Sequence, residues 1–451
     1  MQRLVNALKL RKIGDVAVRR NPWYYSQARG VLEDLRAADL AARREWTQER
    51  LEKVLWFARR TPYGARVRGC TDLASWPLLR KPQVQAAPAA FRAGSHLLSV
   101  QASTGGTSGA PLRLSRSLRS IAFEQASIDL MMRELGVEPS TARCAVLRTD
   151  AIKDPNDFRP PYWIEASGGR RLIFSSSHLN AATVNSYADA LEQFAPDVLL
   201  GYPTSLEALC VLLERVGRTL HIPRILSSSE MLSPQVWRAA QRRLGCALLD
   251  YYGQAERVAF AFAMQPGEYR FLPGYAHVEF EFVGLEEEQH VYEIVGTSLW
   301  NSAMPLVRYC TGDLIRAPRN WGPAELEELA LSERTFSGVF GRSGDILLTP
   351  DGVCVTGVSH FQRDVPHVMR IQVIQETVRE VVILVLADAG YSERDAQRLL
   401  QNVRSKLPAS MRVEITRAEA LERTARGKTP FVIHRPAVRA LLEQGRARGS
   451  A

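Results

Sequence analysis

Ser103-Thr104-Gly105-Gly106-Thr107-Ser108-Gly109-Ala110-Pro111 places three glycines and four hydroxyl residues within nine positions. Glycine lets successive backbone N–H groups turn toward one point, and the Ser and Thr hydroxyls add short donors. Such a loop suits the oxygens of a phosphate chain; the competing reading is a surface loop or a linker. It is not a Walker A loop, because no Gly-Lys-Ser/Thr follows the second glycine at the required spacing. Apolar runs on both sides, Leu97-Leu98-Ser99-Val100 and Pro111-Leu112-Arg113-Leu114, predict a strand before the loop and another after it.

Further elements must position whatever this loop holds. Residues 22–70 repeat apolar positions at helical spacing (Val31, Leu35, Ala38; Leu51, Val54, Leu55, Ala58), and Thr61-Pro62-Tyr63-Gly64 ends that region. Residues 115–135 predict an amphipathic helix closed by Gly136, and residues 143–149 a buried strand. Strands and helices then alternate. Residues 197–202 form a strand, and Thr204 or Ser205 caps a helix with Leu206, Leu209, Leu212 and Leu213 on one face. Residues 222–227 are the next strand, running into Ser228-Ser229-Glu230. Ser233-Pro234 opens a helix that Gly245 stops, and residues 246–252 are a strand that leads into Gly253. This alternation implies a largely parallel α/β sheet.

From 257 to 318 the pattern becomes antiparallel β, and 322–336 is a polar connecting segment. Residues 369–374 and 381–387 pair as a hairpin, followed by a helix over 392–407 with the capping box Ser392-x-x-Asp395, and by a strand at 413–416. That makes a compact α+β domain of roughly a hundred residues. The fold class is therefore α/β: a large N-terminal domain over 1–341, with parallel α/β sheets and a β subdomain, and a small mobile α+β domain over 344–451.

Composition narrows the function classes. A length of 451 residues with 46% hydrophobic and 24% charged content is ordinary for globular proteins. No apolar run approaches the roughly 20 residues that span a bilayer. The six cysteines stand singly, which argues against a disulfide framework or a zinc knuckle and fits a reducing cytoplasm. A net charge of +10 suits an anionic ligand. No nucleic-acid motif or aromatic-interleaved basic block accompanies it, so no nucleic-acid partner is expected.

Five motifs share one order along the chain: Ser103–Pro111, Tyr252-Gly253-Gln254-Ala255-Glu256, Thr311-Gly312-Asp313, Gly341-Arg342-Ser343-Gly344-Asp345 and Gly427-Lys428. Together they resemble the motifs of adenylate-forming enzymes, the superfamily of acyl-CoA synthetases, luciferases and nonribosomal adenylation domains. Gly201-Tyr202-Pro203-Thr204, Ser229-Glu230 and Pro305-Leu306-Val307-Arg308-Tyr309 bring the likeness nearest to phenylacetate–CoA ligases and their capsule-biosynthesis, CapK-like relatives. It runs from about residue 50 to 435.

The resemblance implies an ATP-dependent carboxylate ligase that forms an acyl-adenylate and passes the acyl group to a thiol, CoA. It implies that Ser103, Thr104, Gly105, Gly106, Thr107, Ser108 and Gly109 hold the β- and γ-phosphates of ATP. Glu256 would hold Mg²⁺. Tyr252 and Gly253 would lie against the adenine or near the acyl pocket, with Ser229 and Glu230 in the same pocket. Asp313 would bind the ribose, with Arg342 close by, and Lys428 would bridge the carboxylate and the α-phosphate. The C-terminal domain would rotate about Ser343-Gly344.

Two alternatives stay open: transfer to an amine acceptor in polysaccharide or secondary-metabolite biosynthesis, and a catalytically silent nucleotide-binding relative. The resemblance also admits a homodimer. The stretch Pro161-Tyr162-Trp163 either lines the acyl pocket or is loop packing. Gln254-Ala255 stands where relatives commonly carry a Ser/Thr pair, which removes a hydroxyl from the motif.

Overall fold

The computed structural model describes residues 15–67, 69–93, 99–103, 112–148, 152–154, 157–230, 232–286, 289–342, 347–351, 354–355, 358–362, 365–422 and 429–448. The phosphate-loop residues Thr104 to Gly109, the hinge residues Ser343-Gly344 and Lys428 lie outside them.

After a π-helical turn at Asp15–Arg19 come helices α1 (Pro22–Ala37) and α2 (Leu40–Ala58), each started by an Asn or Asp whose side chain accepts N–H bonds from the first turn. The hairpin β1 (Ser99–Ser103) and β2 (Arg113–Ser117) carries the phosphate loop between its strands, with Ser103 opposite Arg113. The strand predicted on each side of the loop is present. Helix α3 (Leu118–Glu134) begins at Ser117, whose hydroxyl caps the Ser120 N–H. Residues 115–117 therefore belong to the strand, because β1 pairs with them and removes them from the helix.

The central sheet is assembled from β3 (Cys144–Arg148), β4 (Trp163–Ala166), β5 (Arg171–Ser175), β6 (Val198–Gly201), β7 (Arg224–Ser228), β8 (Ala247–Gly253), β9 (Phe260–Ala263) and β10 (Arg270–Phe271). Its eight strands run in the order β10-β9-β8-β7-β6-β3-β5-β4. The five central ones are parallel. Helices α4 (Val184–Phe194), α5 (Pro203–Arg215) and α6 (Pro234–Leu244) cover one face through Tyr187, Leu191, Leu209, Leu213 and Trp237. Helices α1, α2 and α3 cover the other through Leu32, Leu51, Phe123 and Met131. Each of these large apolar side chains contributes about 2 kcal/mol by leaving water.

Helix α6 follows its sequence signals: the Ser233 hydroxyl accepts from the Val236 N–H at 3.2 Å, and Gly245 ends the helix with φ +57°. Helix α5 does not. It starts at Pro203, with Tyr202 at the cap and no side-chain bond from Thr204 or Ser205; the Thr204 N–H donates instead to Glu230 Oε2, 3.0 Å away.

A second, four-stranded antiparallel sheet has the order β11 (Ala276–Glu286), β12 (Gln289–Ser298), β13 (Tyr309–Pro318), β14 (Gly341–Arg342). The segment 322–336 is not merely a connection. It contains helix α7 (Pro323–Ala330), where proline takes the first turn, the Glu325 carboxylate accepts the Gly322 N–H at 2.8 Å, and Leu329 is buried.

Beyond residue 346 come β15 (Leu347–Leu348), β16 (Cys354–Val355), β17 (Val368–Thr377), β18 (Glu380–Ala387), α8 (Glu393–Arg404), β19 (Arg412–Arg417), β20 (Val432–His434) and α9 (Pro436–Arg448). The strands β19-β18-β17-β20 form one sheet around a core of their own that includes Ile371, Val373, Ile383, Val385, Leu399 and Val403. Asp395 accepts the Ser392 N–H at 2.8 Å, so the predicted capping box is made. A mixed α/β chain with a large N-terminal body and a smaller α+β unit is the architecture the sequence implied.

Candidate active site

The central sheet and the four-stranded sheet meet where β8 ends and β13 begins. Tyr252, next to last in β8, donates its phenol to Asp313 Oδ2 at 2.7 Å. Asp313 is 3% exposed and stands on β13 opposite Arg342 of β14. The motif residues Tyr252, Asp313 and Arg342, far apart in the chain, thus share one corner.

The Thr311-Gly312-Asp313 motif is a β-bulge. Glu293 pairs with Leu314 and Val295 with Cys310, so three residues of β13 face Ile294 alone. Gly312 turns with φ +77°, a region that disfavours side chains, and its N–H donates to Glu293 Oε1 at 2.8 Å. The Thr311 hydroxyl donates to the Ile294 carbonyl at 2.8 Å and accepts the Asp313 N–H at 3.0 Å. These bonds fix the angle at which Asp313 leaves the strand.

After Gly253 the chain turns sharply, with Arg257 at φ +58° and its N–H donated to the Gln254 carbonyl at 3.1 Å. Gln254 is a brace within that turn. Its Nε2 donates to the Tyr252 phenol oxygen at 3.1 Å, and its Oε1 accepts the Ala259 N–H at 3.2 Å. A hydroxyl at this position would be too short to span both partners.

Glu256 follows in the same turn. Its Oε1 accepts the Tyr309 phenol at 3.0 Å. Burial, and then the neighbouring Glu256 carboxylate, push the Tyr309 hydroxyl far above its ordinary range, so it remains a donor. Arg116 of β2 donates to the Ala255 carbonyl at 2.6 Å, and Arg257 donates to the Ser120 carbonyl at 2.7 Å and lies 3.6 Å from Glu124. These crossed arginines tie the phosphate-loop hairpin and the start of α3 to the Glu256 turn. Burial, then Arg257, lowers Arg116 to about 10, so it still carries its charge at neutral pH.

Ser229 lies one position beyond the register pair Ser228–Tyr251 that ends β7, with φ +75° and its hydroxyl 3.3 Å from that of Ser228. Glu230 spends one carboxylate oxygen on the N-terminus of α5. Ser103 is exposed at the end of β1. The stretch Pro161-Tyr162-Trp163 is packing: the Tyr162 ring stacks between His178 and Tyr187, and Trp163 rests on Phe174.

Sequence reasoning had no signal for Arg116 or Arg257 as supports of the site, and it carried Tyr309 and Gln254 only as members of motifs. A large polar residue inside an otherwise small, loop-like motif, as at Gln254, was the nearest clue.

Comparison with known proteins gives this geometry its setting. Residues 347–435 match the CapK C-terminal domain. The protein CapK of Staphylococcus aureus is 19% identical over 341 residues, 74% of either chain. Phenylacetate-coenzyme A ligase of Pseudomonas putida is 26% identical over 220 residues, 46% of this chain and 47% of the relative. Among solved structures, 2-hydroxyisobutyryl-CoA ligase in the postadenylation state superposes with a TM-score of 0.59 at 14% identity, covering 89% of this chain and 91% of that one.

Proposed function

For a chain homologous to CapK and to phenylacetate-coenzyme A ligase, and folded like an adenylate-forming CoA ligase, we propose an ATP-dependent carboxylate ligase. A carboxylate oxygen attacks the α-phosphate of ATP, the bond from that phosphorus to the β-phosphate oxygen breaks, and pyrophosphate leaves. The acyl group then passes from AMP to the thiol of CoA. The observation that carries this reading is the corner at which Tyr252 grips Asp313 while Tyr309 of the same strand β13 grips Glu256.

In this reading Asp313 accepts hydrogen bonds from the ribose hydroxyls, as an ionised carboxylate is an acceptor only. Arg342, Gly253, Ser229 and Glu230 complete the nucleotide pocket. The loop Ser103 to Gly109 wraps the terminal phosphates, and Lys428 stabilises the charge that builds as pyrophosphate departs.

The donor set fits a magnesium ion. Glu256 offers one oriented carboxylate, and among the described residues no cluster of three His, Cys, Asp or Glu forms a protein cage. Magnesium in phosphate sites takes just such a set, one or two carboxylates with phosphate and water oxygens. Bound there, it supplies positive charge to the phosphate oxygens.

Acid-dependent exchange of pyrophosphate into ATP, run over a panel of aryl, alkyl and dicarboxylic acids, tests the proposal. Exchange with at least one acid is expected, abolished in Lys428→Ala although ATP still binds. The absence of exchange with every acid overturns it. A product assay with CoA and with amines then reads the acceptor, thioester formation being the expected result.

A further inference from the structure

The parallel strands of the central sheet end in Arg148, Ser175, Gly201, Ser228 and Gly253, and Arg148 is the only charged residue among them. Its position is special in the topology. From β3 the chain moves to β5 on one side, then returns across to β6 and on to β7 and β8 on the other. In open α/β sheets ligands bind outside the carboxyl ends of the strands where the winding reverses. Arg148 is the last residue of the strand at which it reverses.

The environment of Arg148 is built for an anion. Its guanidinium lies 5.5 Å from the centre of the Tyr202 ring, and its Nε is buried without a hydrogen-bond partner. Among the described residues no carboxylate forms an ion pair with it. The acid that shares the Tyr251 environment, Glu124, is itself engaged by Arg257 and Tyr275. The Tyr251 phenol, raised by burial and pulled back by Arg148 and Ser228, places the cation beside the end of β7 and β8, next to Ser229 and Tyr252. A buried guanidinium donor left unpaired is costly, and a carboxylate that fits it forms a strong, charge-assisted bond.

We infer that Arg148 receives a second carboxylate at the far end of the acyl substrate, so that the preferred acids are dicarboxylic. This rests on the ligase reading and specifies its substrate class. One carboxylate of the acid meets ATP; the other meets Arg148 and fixes how deep the chain lies.

The test compares glutarate, succinate and adipate with their monomethyl esters in pyrophosphate exchange. The wild type is expected to favour the best diacid over its ester by about 50-fold in kcat/KM, mostly through KM, the scale of a lost charge-assisted bond. Arg148→Met should erase that preference while leaving the ester rate within about threefold, and Arg148→Lys should restore part of it. Thermal melting verifies that both variants fold. Equal or better use of the neutral esters by the wild type overturns the inference and leaves the ligase reading standing, as does an equal loss for diacid and ester in a folded Arg148→Met. Exchange with no acid at all overturns the ligase reading itself.

Discussion

The Tyr252 hydroxyl lies 2.7 Å from Asp313 Oδ2, a bond that joins two different sheets of the molecule. Gln254 holds the same phenol from the other side at 3.1 Å, so the oxygen has a donor and an acceptor in fixed directions. Removing the hydroxyl keeps the ring and deletes the link. Tyr252→Phe is expected to raise the KM for ATP by about 10- to 50-fold, the scale of one hydrogen bond to a charged group, with a smaller change in kcat. Titration of ATP in the exchange assay reads both. An unchanged KM would show that Asp313 needs no such support.

Gly312 turns the bulge that aims Asp313, at φ +77°. Gly312→Ala forces a Cβ into the left-handed region, at about 1–2 kcal/mol, and tilts the carboxylate that follows. Urea unfolding should register the loss of stability, and nucleotide affinity should fall in parallel. Full affinity in the variant would mean that the bulge is not what orients Asp313.

Among the described residues, the Tyr309 phenol donates to Glu256 Oε1 at 3.0 Å. Tyr309→Phe leaves the buried ring and frees the carboxylate to rotate. The magnesium concentration for half-maximal exchange should rise several-fold, while the melting temperature shifts by only a few degrees. A magnesium curve that superposes on that of the wild type sinks the assignment.

Asp250 is 2% exposed, and burial pushes its carboxyl up to about 6, against the smaller opposing pull of Tyr269 and Ser227. Its folded value lies above its unfolded one, so between pH 4 and 6 the folded state binds more protons. Stability from this group is complete at the acid end of that window and is lost as pH rises through 6, by about 2–3 kcal/mol. Asp250→Asn stays neutral and should lack this slope. Urea midpoints from pH 4 to 8 give the comparison, and parallel curves for variant and wild type reject it.

Much of this was legible in the chain because local signals and tertiary structure agree. Ser233 and Gly245 bound a helix by their own chemistry, and the glycine loop sits between the two strands its flanks predicted. The misses have physical reasons. Helix α5 is capped by Glu230, a residue 26 positions away, which no local pattern encodes. The helix over Pro323–Ala330 buries too few apolar residues for periodicity to register. Gln254 read as a lost hydroxyl, yet it braces Tyr252 against Ala259, a task visible only once the turn is closed. Motif spacing located the site, and the supports around it came from packing.

The link between Tyr252 and Asp313 also bears on how the protein is made. The central sheet is complete once Phe271 has been synthesised, but Asp313 and its partner strand through Arg342 come later. A chain emerging from the ribosome can therefore fold its largest sheet while the proposed nucleotide corner is still missing one wall. ATP can act as a folding ligand only in the last third of synthesis, so early folding must rely on the apolar faces alone.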